Sequence, residues 1–213
     1  MKWNKIEKST WSRSEYYDHY HSHVPCSYSM TAKLDISALR ERKLKLYPTM
    51  LFVLSKVVNC HEEFRTAINS HGELGFYDVV FPSYTIFHQQ TETFSNIWTE
   101  YCGDYQEFLK RYQEDITCYG DREGFIAKPN MPENVFTVSM IPWVTFESFH
   151  LHLPKSNDYL LPIFTMGRFF SQKNHTYLPL ALQVHHAVCD GFHAGRFVNE
   201  VQELLNSLDD LFL

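Results

Sequence analysis

Apolar and polar positions along the 213-residue chain switch repeatedly between helical and strand periods. Ser12 to Tyr20 reads as a short helix, Cys26 to Asp35 alternates as a strand does, and a helix follows near Ile36 to Leu44. Pro48 suits the first turn of a helix, where its missing N–H has no partner to lose, and Met50 to Cys60 is apolar enough for that helix to be buried. Glu63 to Asn69 and Glu73 to Asp78 read as a hairpin turning at His71-Gly72. Tyr84 to Thr99, rich in Thr, Phe, Ile and Trp, predicts two further strands. In Asp104 to Cys118, Tyr105, Phe108, Leu109, Tyr112 and Ile116 fall on one face at helical spacing, which marks a core stripe.

Strands are then expected at Val135 to Ile141 and Ser148 to Leu153. Ile163 to Phe170 and Tyr177 to Val184 read as the arms of a hairpin joined through Gln172-Lys173-Asn174. A last helix starts just past Gly191 and turns Phe197, Val201, Leu204, Leu205 and Leu208 inward. Helices and strands in this mixed order predict an α/β (α+β) sandwich, with helices packed on a large mixed, partly antiparallel sheet. No repeat or linker interrupts it, so residues 1–213 are expected to form a single domain.

Charge and composition then remove several classes. A formal net charge of -6 without a run of like charges argues against nucleic acid. Met1 to Thr10 lacks the apolar stretch of a signal peptide, and no window reaches the length of a membrane span. A cytoplasmic protein with no membrane partner is expected. Cys26, Cys60, Cys102, Cys118 and Cys189 are odd in number and form no CxxC pair, so they read as reduced thiols rather than a disulfide framework or a zinc site. Aromatics make up 16% of the chain, which suits a deep pocket as well as a core.

The chemistry-bearing segment is Gln-Val-His-His-Ala-Val-Cys-Asp-Gly at Gln183 to Gly191. Adjacent residues of a strand point to opposite faces, so His185 and His186 cannot share one role. A neutral imidazole is a natural base for taking a proton from a hydroxyl. Asp190 could lock that imidazole, or pair with a cation and hold the strand-to-helix turn, and Gly191 lets the chain reverse.

A His-His-x-x-x-Asp-Gly string closing a strand resembles the signature of the CoA-dependent acyltransferases, which include chloramphenicol acetyltransferases and the catalytic domain of dihydrolipoyl acyltransferases. Trp11-Ser12-Arg13, Phe64-Arg65, Tyr84 to His88, Gln90 to Ser95, Pro132-Glu133-Asn134, Ser139 to Trp143 and Leu180 to His193 narrow the resemblance to trimeric chloramphenicol acetyltransferases. It implies O-acetylation of chloramphenicol at its primary hydroxyl, with acetyl-CoA as co-substrate and no metal, conferring antibiotic resistance. Direct transfer would use His186 as general base and Ser139 as donor to the oxyanion. Thr165 matches a threonine that holds a water near the same transition state. Asp190 matches an acid in a buried ion pair with Arg13.

By position the resemblance also implies a drug pocket of Tyr20, Val24, Cys26, Tyr28, Phe94, Ile126, Leu151 and Ile163, and CoA contacts at Trp143, Phe149 and Phe169. Sites would lie between the subunits of a homotrimer. Ser37 to Tyr47 is shorter than in such relatives by about one helical turn, and Tyr28, Ile126 and Phe169 stand where they often carry Phe, Phe and Tyr. Alternatives are an acetyltransferase for another hydroxyl acceptor, or a non-catalytic homologue that binds hydrophobic ligands. A thiol nucleophile at Cys189 is disfavoured because residues so close along a turn seldom face each other. A metal held by His19, His21 and His23 needs a strand there, whereas Tyr16, Tyr17 and Tyr20 suggest a helix that scatters the rings.

Overall fold

A computed structural model describes residues 2–153 and 158–208. The chain opens with β1 (Trp3–Lys5), α1 (Ser14–Asp18) and a wide π-type turn over His19–His23, followed by β2 (Ser27–Asp35), α2 (Ser37–Glu41) and α3 (Leu46–Cys60). A single 3-10 turn at Glu62–Phe64 leads into β3 (Thr66–Ile68), β4 (Leu74–Tyr77), β5 (Phe81–His88) and β6 (Thr93–Trp98). Next come α4 (Tyr105–Tyr119), β7 (Val135–Ile141), β8 (Ile163–Gly167), β9 (Phe170–Gln172), β10 (His175–His185) and α5 (Gly191–Asn206).

Local chemistry explains several boundaries. Asp104 caps α4 by accepting from Glu107 N at 2.7 Å. Pro48 falls in the first turn of α3, where no donor is lost. Lys173 and Asn174 take left-handed backbones (φ 48° and 66°) to turn β9 into β10.

The main sheet runs β2-β10-β8-β7-β5-β6, with β9 paired to β10. Pairs β10·β2, β10·β8, β10·β9 and β5·β6 are antiparallel, while β5·β7 and β7·β8 are parallel. The mixed sheet expected from the sequence is therefore the one observed. Strands β1, β4 and β3 form a separate small sheet. Alternate residues Phe136, Val138, Phe164, Met166, Leu180, Leu182 and Val184 are buried in one core with residues of α3 and α5, and Phe164 stacks on Phe197 of α5 at 5.1 Å. The intervening positions, among them Thr137, Ser139, Ile163, Thr165, Ala181 and Gln183, point to the opposite face. There the sheet meets the segment 142–153 instead of a helix.

That segment corrects one expectation. Ser148 to Leu153 is not a strand. Its amides are taken by side chains: Phe149 N donates to Thr31 Oγ1 (3.3 Å) and Leu151 N to Gln183 Oε1 (2.8 Å), leaving no ladder of backbone partners. Helices near both ends of β2 are also shorter than expected. After Asp18 the helix widens, with Val24 N donating to His19 O (2.8 Å), and α2 stops where Lys43 turns left-handed (φ 56°). Glu63 belongs to the 3-10 turn, and the arm Ile163 to Phe170 is broken into β8 and β9. The three residues of β1 are too few for alternation to reveal. Among the described residues, no helix is long and apolar enough to cross a membrane.

Gly167 ends β8 under a close contact. A Cβ there would lie 2.7 Å from Pro179 Cγ and 2.8 Å from Phe146 Cε1. Gly167→Ala is expected to lower the free energy of unfolding by about 1–3 kcal/mol, measured by denaturant titration. An unchanged midpoint would mean that the 142–153 segment yields without cost.

Candidate active site

Strand β10 ends at His185, opposite Ser27 of β2, and the next amide, His186 N, donates to Cys26 O at 2.8 Å. The chain then turns through Ala187 and Val188 into α5. Arg13 holds this turn from outside. Its Nη2 donates to His186 O (3.1 Å), its Nε to Ala187 O (3.0 Å) and its Nη1 to Asp190 Oδ2 (3.0 Å). One guanidinium thus satisfies two peptide carbonyls and a carboxylate, a use of its rigid fork that lysine could not copy.

Asp190 is also the N-cap of α5. Its Oδ1 accepts from Phe192 N (3.1 Å), and His193 Nδ1 accepts from Asp190 N (3.1 Å), completing a capping box. Burial would raise the Asp190 carboxyl, but the Arg13 hydrogen bond and the Arg13 charge outweigh it and hold the group below the usual carboxylate range. The pair is less enclosed than expected from the sequence: the Arg13 side chain is 16% exposed and that of Asp190 38%. Asp190 caps a helix at the surface, and water reaches it there. His193 was missed in the sequence reading, although Asp-x-x-His at a strand-to-helix turn carries the capping signal.

The His186 ring lies flat on Tyr20, with centroids 4.0 Å apart and planes 7° from parallel, and meets Tyr28 edge-on at 5.3 Å. Its Nδ1 is buried and has no hydrogen-bond partner among the described residues. His185 diverges from it and lines a cavity of about 230 Å³ with Cys26, Ile163 and Gln183. Cys189 is fully buried, and that burial pushes its thiol pKa up to about 12. It is protonated at neutral pH and not a ready nucleophile.

Ser139 of β7 and Thr165 of β8 are register partners, with hydroxyls 3.0 Å apart. They do not join His186 within one chain. Thr165 pairs with Ala181, and His186 lies five residues beyond Ala181, about 17 Å along the strand.

The expected pocket residues also separate. Tyr20, Cys26, Tyr28 and Ile163 gather around the end of β10, together with exposed Val24 and with Leu151, anchored by its amide to Gln183. Phe94 belongs to β6, the far edge strand, and Ile126 bridges Asn96 of the same strand; they are 48% and 52% exposed. Trp143 is exposed against Phe87 (4.6 Å), and Phe149 packs on Phe146 (5.5 Å). Phe169 instead lies under the Arg40 guanidinium of α2 (4.8 Å). Of the three alternating histidines only His21 turns away, stacked on Tyr17 with its Nε2 bound to Asp158 at 3.0 Å, while the His19 and His23 rings stay 6.5 Å apart.

The architecture is shared with solved acyltransferases. A solved chloramphenicol acetyltransferase superposes with a TM-score of 0.84 over 96% of this chain and 100% of its own, at 20% identity. The dihydrolipoamide acetyltransferase of Azotobacter vinelandii gives 0.69 over 92% and 87%, at 14% identity. In sequence, the family model for chloramphenicol acetyltransferase matches residues 1–202. The chloramphenicol acetyltransferase of Clostridium perfringens is 58% identical over 97% of this chain and 100% of its own, and that of Campylobacter coli 55% over the same shares. One from Staphylococcus aureus is 42% identical over 99% of each. The chain belongs to the chloramphenicol acetyltransferase family and is an acyltransferase.

The lowered Asp190 pKa sets the sign of its pH dependence. A depressed carboxyl stabilises the fold above its unfolded value, near 3.9, and that stabilisation is lost as acid protonates the folded form. Asparagine keeps the cap but not the charge. Asp190→Asn should therefore cost about 1 kcal/mol at pH 7, the scale of a part-exposed pair, and the two unfolding curves should converge below about pH 4. A difference that persists in acid would assign the cost to the cap.

Proposed function

We propose that the protein transfers the acetyl group of acetyl-CoA to the primary hydroxyl of chloramphenicol in the cytoplasm, conferring resistance, at sites shared between the subunits of a homotrimer. The observation that carries this reading is the His186 ring, stacked on Tyr20 at the end of β10 on a turn pinned by Arg13. An imidazole held in place in this way is prepared to act as a base.

His186 takes the hydroxyl proton as the hydroxyl oxygen attacks the thioester carbonyl. Ser139 donates a hydrogen bond to the oxyanion that forms, with Thr165 beside it to order a water. His186 then returns its proton to the departing CoA sulfur. The products are the acetyl ester and free CoA thiol.

The spacing along β10 supports the shared site. Ser139 and His186 of one chain are separated by about 17 Å along the strand, so a base and an oxyanion donor that act together belong to different copies. Exposed Val24 and Leu151 at one end of the chain, and Phe94, Phe125 and Ile126 at the other edge, are apolar groups that a partner would cover. Tyr20, Val24, Cys26, Tyr28, Leu151 and Ile163 would then line the drug pocket, joined by Phe94 and Ile126 across the boundary. Exposed Trp143 and nearby Phe149 suit the CoA side, whereas Phe169 contributes there through Arg40.

Mixing protein, acetyl-CoA and chloramphenicol should release free thiol. His186→Ala should abolish the release, Ser139→Ala should reduce kcat about 100-fold or more, and Cys189→Ala should keep most of it. An active His186→Ala variant would end the direct-transfer mechanism. Thiol release with other hydroxyl acceptors but not chloramphenicol would redirect the specificity, and none with any acceptor would favour a ligand-binding role. His186→Ala and Ser139→Ala, unfolded and refolded together, should gain activity above that of either variant alone, because some mixed trimers then hold an intact site. No recovery in the mixture would place both groups in one chain.

A further inference from the structure

The proposed mechanism gives His185 no part, yet this imidazole is 5% exposed at the foot of the catalytic turn. Accounting for the turn's amides shows where it acts. His186 N donates to Cys26 O (2.8 Å), Val188 N and Cys189 N both donate to His185 O (3.2 and 3.1 Å), and Asp190 N donates to His193 Nδ1 (3.1 Å). Ala187 N donates to His185 Nδ1 at 3.2 Å. Ala187 is fully buried, so water cannot replace that acceptor.

We propose that His185 is a positioning residue whose neutral ring accepts the Ala187 N–H through Nδ1 and so fixes the direction in which the turn presents His186. The inference rests on the reading of His186 as the base. Burial, together with the neighbouring His21 and His186 rings, pushes the His185 pKa down to about 4, which keeps Nδ1 free to accept. Around it stand His21, 6.2 Å away and tied to Asp158, with Gln183, Cys26 and Tyr159 along the cavity wall. An acceptor on Nδ1 leaves the ring proton on Nε2. The two histidines of the motif thus divide the work: one shapes the turn and the other reacts.

His185→Phe fills the space and removes the acceptor, while His185→Asn keeps an acceptor oxygen near the place of Nδ1. In the assembled full-length protein, the Phe variant should lose about 10- to 100-fold in kcat with both KM values within about twofold, and the Asn variant should recover most of it. The upfield ring-current shift of the His186 resonances against Tyr20 supplies a readout that needs no substrate. It should persist in the Asn variant and collapse in the Phe variant. Wild-type kcat in the Phe variant, an Asn variant no better than Phe, a loss carried by KM, or an unmoved His186 shift in the Phe variant each overturns the proposal. A wild-type protein silent toward chloramphenicol would sink the acceptor reading, and the His186 shift would still decide this one.

Discussion

Strand β10 carries core residues and leads into the proposed base, and the alternation of its side chains is the constraint on which the remaining structure depends. Leu178, Leu180, Leu182 and Val184 enter the core, while Ala181 and Gln183 turn to the other face. Its neighbours on both sides are antiparallel, so β2 and β8 hold it in a fixed register along its length. A slip of one residue would bury Gln183 among leucines and move the His185–His186 turn away from Cys26 and Arg13. The site is therefore placed by the same apolar contacts that stabilise the sheet.

Covering the sheet with helices on one face leaves the other for the proposed oxyanion donor. Ser139 and Thr165 lie on that second face, which the 142–153 segment meets at Thr31 and Gln183, its backbone anchored by those side chains and not by strand pairing. At the end of β10, Arg13 binds two peptide carbonyls and a carboxylate at once. Losing the guanidinium would leave several partly buried acceptors unpaired together, which costs more than any one of those bonds contributes. Cys189 is removed from the chemistry by the same packing, because its burial keeps the thiol protonated.

Much of the candidate site was legible because its parts are contiguous. The two histidines, Asp190 and Gly191 fall within one turn, and a strand reading already separates the roles of His185 and His186. The residues spread along the chain were harder. Phe94 and Ile126 have no local pattern that connects them to Tyr20 or Cys26; only likeness to relatives grouped them, and one chain leaves them apart. Phe169 was assigned to a CoA surface and found against Arg40. Ser148 to Leu153 alternates like a strand, but Thr31 and Gln183 take its amides first.

From the sequence alone came the element types, the mixed sheet, the motif and the family resemblance, because periodicity and contiguous motifs depend on near neighbours. Only the tertiary structure decided the rest. It stacked Tyr20 on His186, brought Arg13 to peptide carbonyls more than 170 residues away, widened the helix at His19 and put Ser139 in a different part of the chain's surface from the histidine it is proposed to assist. These outcomes depend on strand register and on competition for buried hydrogen bonds, and both are settled between segments far apart along the chain.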